Sequence, residues 1–267
     1  MNDENLFAAT EELSYEDKVR TVLFKHFSSN LMLVVAILFT ISYAIQIISY
    51  AKQIISGVLT STGFLDIVIS SIIPVLIIIG LWKTYSNAKS GTVIDTSGLR
   101  LLKGVMTFFM VIIAIGVFLV AITMLLSFSL STELALVMLV FLVTIAISLV
   151  TIISLRKFIN NTIDGYQTGF MNTNSFMTTV VLLILAGLSG VGLLIFLTTF
   201  NWTSLIASLN LGGTEFEPLI EAFEMLASDL VSDVGVTEYI ERIVSAAPYF
   251  TLGYFIYNLK QDLDTIY

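Results

Sequence analysis

The chain contains no cysteine and a single histidine, His26. Without cysteine there is no disulfide, no thiol nucleophile and no zinc–thiolate site, and one histidine builds a histidine metal cage only if several copies of the chain share it. Charge is scarce as well: 12% of the residues are Asp, Glu, Lys or Arg, where soluble domains carry roughly 25%. Twelve Lys and Arg against 20 Asp and Glu leave a formal charge of −8. That balance argues against nucleic acid as a partner, because phosphate contacts need clustered basic side chains.

Apolar residues make up 57% of the 267 positions and the mean hydropathy is +0.95, which points to lipid as the solvent. A spanning helix needs about 20 mostly apolar residues, since the hydrocarbon core is roughly 30 Å thick and offers no water to backbone groups. Five segments meet that standard: Leu31 to Tyr50, Phe64 to Trp82, Val105 to Phe128, Leu134 to Leu155 and Phe176 to Phe200. A sixth, Ile243 to Leu259, is shorter and contains Pro248 and Gly253. Residues 1–30 carry six acidic side chains before any long apolar run, the wrong sign for a secretory signal peptide. The first span is expected to remain as an uncleaved anchor.

Orientation follows from the basic residues, which concentrate in cytoplasmic loops. With the N-terminus inside, ten of the 12 Lys and Arg fall on inner segments and only Lys52 and Arg242 fall outside. Placing Lys260 with the inner group requires the sixth crossing, so both ends are expected in the cytoplasm of a cell membrane. The fold class is thus all-α, a polytopic bundle of six transmembrane helices. Residues 1–30 form a cytoplasmic segment, 31–200 five spans, 201–242 an extracytoplasmic segment, and 243–267 the sixth span with a short tail.

Ser14 and Asp17 have the spacing of a relaxed capping box, and Val19, Leu23, Phe24 and Phe27 follow on one broad face. This predicts a short amphipathic helix feeding the first span, with Lys18, Arg20 and Lys25 facing anionic headgroups. His26 reads as an ordinary interfacial residue, with a pH sensor as the alternative. After the fourth span, Ile159, Ile163, Tyr166 and Phe170 recur at helical spacing, which suggests a separate helix lying in the interface. The turn-rich stretch from Ser90 to Gly98 is expected to end in a Thr or Ser helix cap.

The outer segment is the most individual. Thr214-Glu-Phe-Glu217 is a full capping box after Gly212-Gly213, so a helix is expected from Glu215 to about Val234, broken at Gly235, with Thr237 capping a further turn. At 100° per residue Phe223, Leu226 and Leu230 share an apolar face, and Glu217, Glu221 and Glu224 cluster on another. Because anionic lipid repels such an acidic stripe, the apolar face is expected to pack, like a lid, on the bundle or on a partner.

Within the spans there is little chemistry. Asp66 sits at an outer edge and Gln46 is the most polar long side chain deep in the first span, whereas pumps and intramembrane proteases bury acids, bases or metal ligands at depth. Pro74 is expected to kink the second span. In the fifth, Ala186 and Gly190 offer a small-residue packing face.

Trp82-Lys-Thr-Tyr85, Ala88-Lys-Ser-Gly91 and Thr96-Ser-Gly-Leu99, ahead of an apolar helix, resemble a connector in uncharacterised multi-pass membrane proteins of Gram-positive, clostridia-like bacteria. The resemblance covers about a tenth of the chain and implies a bacterial membrane protein without assigning an activity or a residue role. The expected function is therefore a non-enzymatic membrane component, without cofactor or metal, that contacts lipid and other envelope proteins or itself through Phe223, Leu226, Leu230, Ala186 and Gly190. The alternative is a small transporter or channel for an apolar or weakly polar solute, with a path lined by Ser, Thr and Gln46.

Overall fold

The computed structural model describes residues 14–55, 61–91, 95–128, 132–201 and 236–266. These form seven helices: α1 (Tyr15–Phe27), α2 (Asn30–Ile55), α3 (Ser61–Ser90), α4 (Ser97–Ser127), α5 (Thr132–Thr168), α6 (Phe176–Thr199) and α7 (Val236–Asp264). No strand occurs among the described residues. Five of the helices, α2 to α6, are long and apolar enough to cross a membrane. The lid residues Phe223, Leu226 and Leu230 lie outside the described residues.

The helices outrun the apolar segments that predict them, because an α-helix satisfies its backbone internally and does not have to stop where the hydrocarbon does. The largest departure is at α5. A single helix of 37 residues continues through Ile159, Ile163 and Tyr166, so no separate helix lies in the interface there. The expected periodicity is real, but its apolar face is buried in protein: Ile159, Ile163 and Tyr166 are core residues, and of the four only Phe170, beyond the helix end, is exposed. Similarly, α7 begins at Val236, ahead of the expected boundary at 243, and Thr237 lies inside the helix rather than capping it. Its 29 residues reach roughly 43 Å at 1.5 Å per residue, but of the described helices only α2 to α6 combine such length with the apolarity of a span.

Neighbours in sequence are neighbours in space: α2 packs on α3, α3 on α4, α4 on α5, α5 on α6 and α6 on α7. The last contact, α7 on α2, closes the series into a ring. Two of these seams depend on missing side chains. Along α3 and α4, a Cβ added to Gly98 would stand 2.5 Å from Thr84 Oγ1 and 2.6 Å from its backbone nitrogen, and one on Gly80 would stand 2.6 Å from Leu102 Cγ. Along α6 and α7, Gly187 gives room for the Phe250 ring, 3.2 Å from where a Cβ would be. Close backbone approach through small residues is how helices associate where no hydrophobic gain separates helix from lipid.

The first helix, α1, sits across one end of this ring and touches α2, α3, α5 and α7. Ser14 starts it as expected, with its hydroxyl accepting from the Asp17 amide at 3.3 Å. At α4 the outcome differs. Thr96 occupies the N-cap position without a side-chain cap bond, and the Asp95 carboxylate accepts from the Ser97 amide instead, at 2.7 Å. A charged acceptor makes the stronger bond, and the Ser97 hydroxyl and amide hold the Asp95 carboxyl below its ordinary value.

Candidate functional site

The ring surrounds a partly open chamber of about 300 Å³ to which each of the seven described helices contributes. Phe27 of α1 forms part of its floor. The wall above is made by Met32 and Phe39 of α2, Ile77 and Leu81 of α3, Leu102 and Met106 of α4, Thr151 and Leu155 of α5, Leu183 and Ala186 of α6, and Tyr249 and Phe255 of α7. Its polar lining is small and mostly spent internally. Ser148 Oγ donates to Thr144 O at 3.0 Å, and Thr151 Oγ1 lies 2.7 Å from Ile147 O and 3.2 Å from Leu182 O. Tyr249 is the exception: it is 36% exposed, and its hydroxyl makes no hydrogen bond to the described residues. An apolar wall with one available polar group suits a ligand that is mostly hydrocarbon, whereas water needs several polar partners to occupy such a space.

The floor is held from below by packing and by charge. Val19 and Leu23 of α1 are fully buried and Phe27 nearly so. Phe24 meets the Tyr166 ring edge-on at 5.2 Å, and Phe27 meets Phe255 at 5.1 Å. Arg20 donates from Nε to Tyr166 O at 3.3 Å and from Nη2 to Gln167 O at 3.2 Å, carbonyls of the last turn of α5 that lack helical partners. Gly169, at φ +76°, then ends that helix, and Glu16 lies where a side chain would have been.

At the far side of α1, Asp262 of α7 accepts from Lys25 Nζ at 2.9 Å and pairs with His26 Nε2 at 3.0 Å. Hydrogen bonding from Lys25, then from His26, holds the Asp262 carboxyl below its ordinary value despite partial desolvation. Arg20 and Lys25 thus have partners within the protein, although the Lys25 side chain is still 71% exposed, and His26 is buried as a tether between two helices. The same contact places the end of α7 beside α1, at the end of the ring that holds Lys83, Lys89, Arg100 and Lys103.

Two further expectations meet the geometry differently. Ala186 lines the chamber, while Gly190 is half-buried with open space where a Cβ would be. The close contact of α6 with α7 goes to Gly187, about 100° around α6 from Ala186 and about 60° from Gly190. Gln46 is exposed on α2 and lines no part of the chamber. Pro74 lies inside α3, and the carbonyl of Ser71, a turn before it, accepts from the Tyr43 hydroxyl of α2 at 3.4 Å.

No family model, curated protein or solved structure matches the chain. The chamber, its floor and the surfaces around them therefore carry the functional argument alone.

Proposed function

We propose that this chain is a non-enzymatic, multi-pass integral membrane protein whose ring of helices holds an apolar molecule taken from the bilayer. The observation that carries this reading is the chamber: a partly open volume of about 300 Å³ with an almost wholly apolar lining that includes Tyr249, whose hydroxyl makes no hydrogen bond to the described residues. A hydrocarbon chain satisfies that wall, and a hydroxyl or carboxyl at its end satisfies Tyr249. With the basic end on the cytoplasmic side, α1 lies beneath the chamber, which occupies the half of the ring nearest that end.

The test is to fill the chamber. Ala186→Phe adds a ring at a lining position of α6, and the purified protein is titrated with a polyene fatty acid that fluoresces in apolar surroundings. Wild type is expected to bind it saturably, and the variant to bind at least tenfold more weakly with an unchanged melting temperature. Equal binding by a folded variant overturns the reading. Flux of the same probe across liposomes then separates a carrier from a holder.

A second reading, contact with another membrane protein, is favoured by α4. No residue in its most apolar stretch is buried, it packs only on α3 and α5 among the described residues, and Phe118, Leu125 and Leu126 are 65%, 69% and 63% exposed. A photo-crosslinker at Phe118 should capture one protein at fixed stoichiometry if this face docks a partner. Lipid adducts alone return the face to the bilayer.

A further inference from the structure

Four cationic side chains are half-buried among the described residues: Arg20, Lys103, Arg156 and Lys260. Two of them have carboxylate partners, Arg20 with Asp17 and Lys260 with Asp264. The other two do not. Lys103 Nζ donates to Asn160 Oδ1 at 2.5 Å and Arg156 Nε to Thr107 Oγ1 at 2.9 Å, so both cations are positioned by neutral groups and keep their charge uncompensated. Asp164, the nearest acid along α5, accepts from Asn160 Nδ2 at 3.0 Å and bridges to neither cation. Lys103 keeps two N–H donors and Arg156 keeps its whole outer guanidinium edge.

Their location is equally specific. Arg156 lies about 36 Å along α5 from Thr132, and Lys103 about the same distance along α4 from Ser127, so both fall at the boundary of a roughly 30 Å hydrocarbon layer. At 100° per residue they lie roughly 80–100° round from the mean direction of the chamber-lining positions of α4 and α5, in the seam between the two helices. Directly beyond them the surface is apolar and open: Phe108 is 60% exposed and Val111 51%, and no atom lies within 4 Å of where a Cβ on Gly104 would be. We propose that Lys103 and Arg156, held by Asn160 and Thr107 on the outer side of the α4–α5 seam, bind the phosphate of an anionic phospholipid whose chains lie along Phe108 and Val111. The fork of Arg156 suits two phosphate oxygens and the ammonium of Lys103 a third contact.

The experiment is native mass spectrometry of the full chain released from nanodiscs of phosphatidylglycerol mixed with phosphatidylcholine. Wild type is expected to retain one phosphatidylglycerol in preference to phosphatidylcholine. K103Q/R156Q should lose that preference by roughly thirtyfold, at about fivefold per basic group, while K89Q, which changes an exposed lysine over the Tyr85 ring, should keep it. Should the double variant fail to fold, G104L leaves both charges in place and is expected to weaken retention by filling the approach. Unchanged retention in a folded K103Q/R156Q, or in G104L, overturns the proposal. Displacement of the lipid by equimolar soluble glycerol phosphate also overturns it, and assigns the two cations to a free phosphomonoester.

Discussion

The two ends of the ring are built on different principles. At the basic end, α1, the last turns of α5 and the last turns of α7 interlock through fully buried side chains, edge-on aromatic pairs and an ion pair. Above this layer lies the chamber, and toward the other end the helices leave long apolar faces outward, such as Phe118, Leu125 and Leu126 of α4. Specific packing accumulates where α1 can bridge several helices at once. The difference teaches where substitutions will be felt, and it orders the expected effects.

The largest effect is expected from Leu23→Ala. Leu23 is fully buried under α1 in a layer where water is the competing solvent, so the cavity left behind should cost about 3–4 kcal/mol, measured as a drop in melting temperature in detergent, and it should hasten release of any molecule held above the floor. Gly98→Ala comes next, because the new methyl group meets the backbone of Thr84 as well as its hydroxyl. Overpacking of that kind costs about 1–3 kcal/mol, again read by thermal melting. A null result at either site would mean that the α3–α4 seam or the floor yields more easily than its contacts imply.

Asp262→Asn should act more weakly. Its partner Lys25 is 71% exposed and Asp262 itself 39%, so the pair is worth below about 1 kcal/mol after solvent screening. The same pair gives a pH dependence with a definite sign. The Asp262 carboxyl is held below its ordinary value in the folded chain. Its contribution is therefore complete above the ordinary carboxylate pKa of about 4 and is lost as pH falls through the lowered one. Hydrogen exchange at α1 should rise over that interval in wild type and not in the Asn variant. The smallest effect is expected at Gly190→Ala, on the α6 face with open space: a change within about 0.5 kcal/mol. A larger loss in the membrane than in detergent would reveal a partner seated there.

The helices were legible because each apolar run is long and nearly uninterrupted, and the cap at Ser14 because a capping box is local. What stayed hidden is what depends on distance in three dimensions. Ile159, Ile163 and Tyr166 announce a helical face but not whether lipid or protein covers it, and protein does. Lys25 and His26 give no sign that their partner is Asp262, more than two hundred positions away. Gly80 and Thr84, four apart, carried the same small-residue signal as Ala186 and Gly190. Spacing alone ranks such pairs equally, and only the direction each face takes in the ring decides which is used.

The placement of α1 also bears on how the molecule is made. Its residues leave the ribosome before those of every other helix described, yet the surfaces they seat upon, around Tyr166 of α5 and Phe255 of α7, are synthesised near the middle and the end. Until α7 arrives, α1 can pack only on α2, α3 and α5, Phe27 lacks Phe255, and the ring lacks its last wall. The first of the described helices to be made thus completes its docking only when the last of them is in place, and the interior stays open until then.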